Sequence, residues 1–208
     1  MAVPRPALKR RTWAALAAAA LLASAAFAAY AVAQDRGASA GALHADATWK
    51  AGSRPEPAVR LRDQTGRMVS LAQLRGHTVL VAFLDSRCRT ICPIEGHQLA
   101  RVEQLVPPAQ RPQLVIISID PAGDTPQSAA RFARVHHLTP GWRWLFGTTG
   151  QLRPVWKAFG IDVRFTETDV IHNSVIYLID RAGDVRAGYL MPLFPRAVAA
   201  DVKTLAGA

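Results

Sequence analysis

Cysteine is almost missing from this chain, which has two in 208 residues, Cys88 and Cys92. So few cysteines exclude a scaffold stapled by several disulfides, and they leave a structural zinc site, which wants four protein ligands, short of donors. Acidic residues are absent from the first 33 positions, where Arg5, Lys9, Arg10 and Arg11 occur, so four units of the formal charge of +10 belong to that segment and +6 to the rest. The other basic side chains are scattered singly. They lack the clustered stripe and interleaved aromatics that tracking a phosphate backbone requires, so nucleic acid is excluded as a partner. No internal repeat and no second domain is visible. Half of the residues are apolar, enough for the core of one ordinary domain with extensions.

Long apolar runs are also scarce, and the longest lies near the start. Trp13 to Ala33 is uncharged and alanine-rich over 21 residues, sufficient to span a bilayer. The basic flank before it is expected to stay inside, placing everything after Ala33 on the extracytoplasmic, periplasmic side. Ala31-Val32-Ala33 is also a small-x-small cleavage pattern, so residues 1–33 are either a retained single-pass membrane anchor or a signal peptide removed near Ala33. Both put the cysteines where disulfides persist. Residues 34–55 have no apolar period and are rich in Gly, Ala, Ser and Pro. They read as a flexible tether, with His44 as a linker histidine and residues 56–208 as the folded domain.

Within that domain Ala58 to Leu74 suggests a hairpin around Asp63-Gln64-Thr65-Gly66 followed by a helical turn. His77 to Asp85 and Leu114 to Ile119 are continuous apolar runs, the pattern of strands covered on both faces. Helices are expected from about Pro93 to Val106, from Asp124-Thr125-Pro126 to about His137, from Thr149 to Phe159 with Pro154 beginning or interrupting it, and from Phe194 to Leu205. Gly141 to Phe146 reads as a strand, Asp162 to Ile171 as a polar excursion, and Ser174 to Leu190 as a β-hairpin. Trp142, Trp144 and Trp156 read as core. The order predicts an α/β thioredoxin-like fold: a central mixed sheet flanked by helices, with an N-terminal hairpin and the N-terminal membrane or signal helix.

The cysteines fall where a buried strand hands over to a helix. Proline lacks an N–H and has a helical φ, so Pro93 fits the first turn and puts Cys92 at the helix cap and Cys88 in the preceding loop. The helix dipole favours negative charge there, which lowers a thiol pKa. Arg87 and Arg89 add positive charge that favours thiolate and disfavours a bound cation. Two sulfurs in so short a loop can close a disulfide or share a soft metal. Asp120 sits at the carboxyl end of a strand, where open α/β sheets place their sites, whereas Asp124 or Thr125 is most simply a helix cap. Of the six histidines, His97 points away from Cys92 around the helix, and His77 starts a strand at the opposite end. His136 and His137 lie at a helix C-terminus, where the dipole favours a partly charged ring. His172 stands before a strand, in a loop long enough to reach the cysteines.

Three motifs in this order, Cys88-Arg89-Thr90-Ile91-Cys92-Pro93, Ser118-Ile119-Asp120-Pro121 with Asp124-Thr125-Pro126, and His172-Asn173-Ser174 leading into Tyr177-Leu178-Ile179-Asp180, resemble the Sco/SenC family over about residues 56 to 205. The resemblance implies a thioredoxin fold, usually membrane-tethered, that binds one copper as Cu(I) or Cu(II) through Cys88, Cys92 and His172, with Asp120 and Asp124 in the neighbouring loop. It implies work on the dicopper centre of cytochrome c oxidase, as copper donor, as reductant of the target's cysteines, or both. The partners would be the oxidase's copper-bearing subunit or another cuproprotein, together with a copper donor or thiol reductant. A metallochaperone is then the expected class, and a thiol-disulfide oxidoreductase using Cys88 and Cys92 without obligatory metal is the alternative.

Overall fold

The computed structural model describes residues 42–167 and 169–207, so the expected export segment and residues 34–41 of the tether lie outside the described residues. The elements run β1 (Ala47–Thr48), β2 (Arg60–Arg62), β3 (Met68–Ser70), β4 (Val79–Leu84), α1 (Cys92–Leu105), β5 (Gln113–Ser118) and α2 (Pro126–Val135). They continue as β6 (Arg143–Leu145), α3 (Thr149–Phe159), β7 (Val163–Phe165), β8 (Val170–His172), β9 (Val175–Ile179), β10 (Val185–Leu190) and α4 (Pro195–Ala206).

The apolar runs build the centre. A six-stranded sheet has the order β1-β10-β9-β4-β5-β6, with β4, β5 and β6 parallel and the β4–β9, β9–β10 and β10–β1 pairs antiparallel. All six residues of β4 are buried, and the two-residue period of a strand divides them between two cores. Leu80, Ala82 and Leu84 pack with Leu99 of α1, Phe132 of α2 and Val202 of α4. Val79, Val81 and Phe83 face the other way, with Leu61 of the β2–β3 hairpin and Leu152, Trp156 and Phe159 of α3. This is the expected mixed sheet between helices. Thr148 caps α3, its hydroxyl accepting from the Gln151 N–H, and Gly160 ends it in a left-handed conformation at φ 72°. Pro154 therefore neither begins nor breaks that helix.

Two expectations are corrected. The tether is not free from Leu43 onward. β1 pairs with β10, the Arg186 guanidinium donates to the Trp49 carbonyl at 3.1 Å, and Pro55 bridges to Asp184. His44 is no linker histidine: its N–H and its Nδ1 meet the two oxygens of buried Asp201 at 2.8 and 2.7 Å. The folded unit thus begins at about Leu43 rather than 56. Asp162 to Ile171 is likewise more than a polar excursion. It folds into a two-stranded antiparallel ribbon in which Val163 pairs with His172. Trp144 and Trp156 are buried as expected, with Trp142 packed at the core's edge.

Candidate functional site

β4 and β5 end side by side, and the loops that follow them are tied together by carboxylates. Asp124 accepts from the backbone N–H and hydroxyl of Ser86 at 2.8 and 2.5 Å and from the Ser118 hydroxyl at 2.6 Å. Asp120 pairs with the Arg87 guanidinium at 2.7 Å and accepts from the N–H groups of Ala122 and Gly123 at 3.2 and 3.0 Å. A Cβ at Gly123 would run into the Arg87 guanidinium and the Asp120 carboxylate, so a larger residue there would have to displace that ion pair. Asp85 accepts from the Arg87 N–H at 2.7 Å. Asp124 is not the helix cap; the Thr125 hydroxyl takes that role. Burial, only partly offset by its three hydrogen bonds, pushes Asp124 up to about 6.

This bracing delivers two unbridged thiols to the start of α1. Cys92 is its first residue and 2% exposed, while Cys88 is half-buried at the mouth of a cleft of about 700 Å³ lined by Asp85, Arg87, Thr90, Asp120 and Phe165. A hydrogen bond from the Cys92 thiol is the main force that pulls Cys88 down to about 4, against burial and helped by the Thr90 hydroxyl 3.4 Å away. The same hydrogen bond, together with burial, pushes Cys92 far up. The two thiols thus titrate as a pair, with Cys88 the one shifted toward thiolate. Arg87 lines the cleft beside Cys88, with Asp120 engaging its guanidinium.

His172 closes the β7–β8 ribbon. Its Nδ1 lies 3.0 Å from the Asn173 carbonyl oxygen, which can only accept, so Nδ1 carries the hydrogen and Nε2 keeps the lone pair. Burial lowers its pKa, opposed by that hydrogen bond and by the charges of Cys88 and Asp85. The ring is therefore within electrostatic reach of the thiolate. Among the described residues, however, no three His, Cys, Asp or Glu side chains converge to hold a metal ion. His97 packs edge-on against His136 at 4.6 Å, away from the thiols, and burial pushes His136 toward the neutral form, contrary to the charged ring expected from the helix dipole.

Residues 51–207 match SCO1/SenC. The chain belongs to the SCO1/SenC family. A Bacillus subtilis SCO1 protein homolog is 30% identical over 134 residues, covering 62% of this chain and 69% of the relative. The BsSco structure, described as having a disulfide switch and as a member of the Sco family of cytochrome c oxidase assembly proteins, is 26% identical with a TM-score of 0.62, covering 76% of this chain and 97% of its own. Bradyrhizobium japonicum ScoI with copper bound shares the fold at 24% identity and a TM-score of 0.64, over 73% of this chain and 99% of its own.

Sequence reasoning missed one part-buried polar pair beside the cysteines of this SCO1/SenC chain. Glu95 is fully buried three residues after Cys92, and Ser174 donates to it at 2.8 Å. The signal was available: Glu95 lies on the stripe of α1 that also buries Cys92, Leu99 and Val102, where an acid is out of place.

Proposed function

We propose that this chain is an extracytoplasmic copper-binding protein of cytochrome c oxidase assembly, which delivers copper to the dicopper centre or prepares the cysteines that receive it. The observation that carries the reading is a pair of unbridged thiols at the start of α1, Cys88 half-buried against a cleft and Cys92 buried behind it. Thiolates select soft Cu(I), and two of them with one imidazole suit a three-donor site that can pass its ion on. The candidate ligands are Cys88, Cys92 and His172 through Nε2. Asp120 and Asp124 hold the loop instead. The thiol pair fits the ion, and His172 would supply the third donor. A 31% identical relative from Stutzerimonas stutzeri named as a copper-binding protein and the oxidase-assembly role of BsSco support the same reading, and the basic, apolar N-terminal segment supports an extracytoplasmic setting. Copper titration of the reduced chain tests it. Native protein should bind about one ion, and His172→Ala should weaken binding by at least about a hundredfold, the upper end of what losing an outer-shell partner costs.

The same pair supports a second reading, thiol-disulfide exchange. The half-buried Cys88 thiolate attacks a partner disulfide and expels one partner thiol, forming a mixed disulfide. Cys92 then loses its proton and attacks the Cys88 sulfur, releasing the second partner thiol, so the partner gains two electrons and the chain ends as a disulfide. This reading prevails if His172→Ala keeps full copper affinity while disulfide reduction depends on the cysteines alone.

A further inference from the structure

We propose that Glu95 and Ser174 are positioning residues, a brace that sets where His172 stands relative to the sulfurs; the inference deepens the copper reading and rests on it. Glu95 follows Cys92 by three positions, about 300° around α1, so both project from one side of the helix. Its Oε2 accepts the Ser174 hydroxyl at 2.8 Å across 79 positions of sequence. Its Oε1 is buried without a hydrogen-bond partner among the described residues. A carboxyl at 0% exposure with one oxygen unserved is costly, and an apolar side chain would pack there without that penalty. Packing therefore does not account for Glu95, and what its single bond joins does.

That bond is the one hydrogen bond, among the described residues, between α1 and residues 172–174. On the far side, the Asn173 side chain accepts from the Asp162 N–H at 2.7 Å and donates to the Gly160 carbonyl at 3.1 Å. His172 is thus carried between two anchors, one on the cysteine helix and one on the turn after α3. Without the Glu95 anchor the segment would be held by the Asn173 bonds, the pairing of His172 with Val163 and the start of β9, and it would lose its one hydrogen bond to the helix that carries Cys92.

The test compares Cu(I) affinity, by competition with a chelator, in the reduced full-length chain and in its Ser174→Ala, Ser174→Thr, Glu95→Gln, Glu95→Leu, His172→Ala and His172→Ala/Ser174→Ala variants. Ser174→Ala and Glu95→Leu should each weaken binding about tenfold, while Ser174→Thr and Glu95→Gln, which keep the hydrogen bond, stay near native. In the His172→Ala background, Ser174→Ala should change affinity less than about twofold, because no imidazole is left to place. In the metal-free chain, the ring-proton resonance of His172 should shift in Ser174→Ala and not in Ser174→Thr. Equal losses from Ser174→Ala in both backgrounds, or none in the native background, overturn the brace and leave the copper reading standing. An unchanged affinity in His172→Ala alone overturns both.

Discussion

The two ends of the central sheet use the same side chains to different ends. Where β4 and β5 finish and β9 begins, Asp85, Glu95, Asp120 and Asp124 are buried around the thiol loop. Burial raises Asp85, lifts Asp124 to about 6 and lifts Glu95 to about 7. Where β9 finishes and β4 begins, Asp180 closes the β9–β10 turn. Its Oδ1 accepts from the N–H groups of Ala182 and Asp184 at 3.0 Å, its Oδ2 pairs with Arg186 at 2.9 Å, and the neighbouring Arg181 guanidinium donates to the Gly76 carbonyl at 3.0 Å. Asp180 is answered by the hairpin's own donors and holds the hairpin shut. At the thiol end they hold two loops and a brace around reactive sulfur, with burial left partly uncompensated. Open α/β sheets place their chemistry beyond the carboxyl ends of the parallel strands, and the contrast follows that rule.

The sharpest way to break the contrast is at the sulfurs. Alkylation of Cys88 should have a midpoint near pH 4 in the native chain. Cys92→Ala removes the main donor and should return Cys88 toward an ordinary thiol near 8.5, slowing alkylation at pH 6 by about a hundredfold. An unchanged profile would mean that Cys92 is not what holds the charge. Next in size, Asp124→Ala leaves the Ser86 and Ser118 donors without an acceptor, and it should cost about 3 kcal/mol in urea unfolding and alter Cys88 alkylation as well. Asp180→Ala should cost about 2 kcal/mol and leave alkylation untouched. If both variants disturb the thiol, the two ends are not independent.

The pH dependence of stability sharpens the picture further. With its folded pKa raised from 4.5 to about 7, Glu95 keeps in the native state a proton that the unfolded chain has already released. Its contribution therefore falls as pH rises from about 4.5 to about 7 and stays low above that. Measured against Glu95→Gln, the native chain should lose on the order of 2–3 kcal/mol between pH 5 and pH 8, and a flat difference would refute the burial assigned to this carboxyl. The smallest effect is expected at the sheet's edge, where His44→Ala should cost about 1 kcal/mol in thermal or urea unfolding by removing one bond to Asp201.

How much of this was legible depended on how locally each feature is encoded. The β4 and β5 runs, the β9–β10 hairpin and the Thr149–Phe159 helix carry their own patterns, so they were read nearly to the residue. Residues 43–55 carry none. They are fixed by distant partners, Asp184, Arg186 and Asp201, and composition alone suggested a tether. The three-residue strands of the β7–β8 ribbon are too short and too exposed to show a two-residue period. The paired thiols were read from Pro93 and the strand before them. His172 was singled out because it stands before a strand in a loop able to reach them, and as a ligand by resemblance, and no three-donor cluster is assembled among the described residues. The pairing of Arg87 with Asp120 spans 33 positions and has no local signal.

The unequal depth of the two sulfurs also sets an order of events. With Cys92 sealed behind and Cys88 in front, anything entering from the cleft meets the outer sulfur first. A receiving protein approaching by the same route would displace the outer sulfur first and the inner one last. Under the proposed copper reading, cargo would part from the hindmost sulfur last.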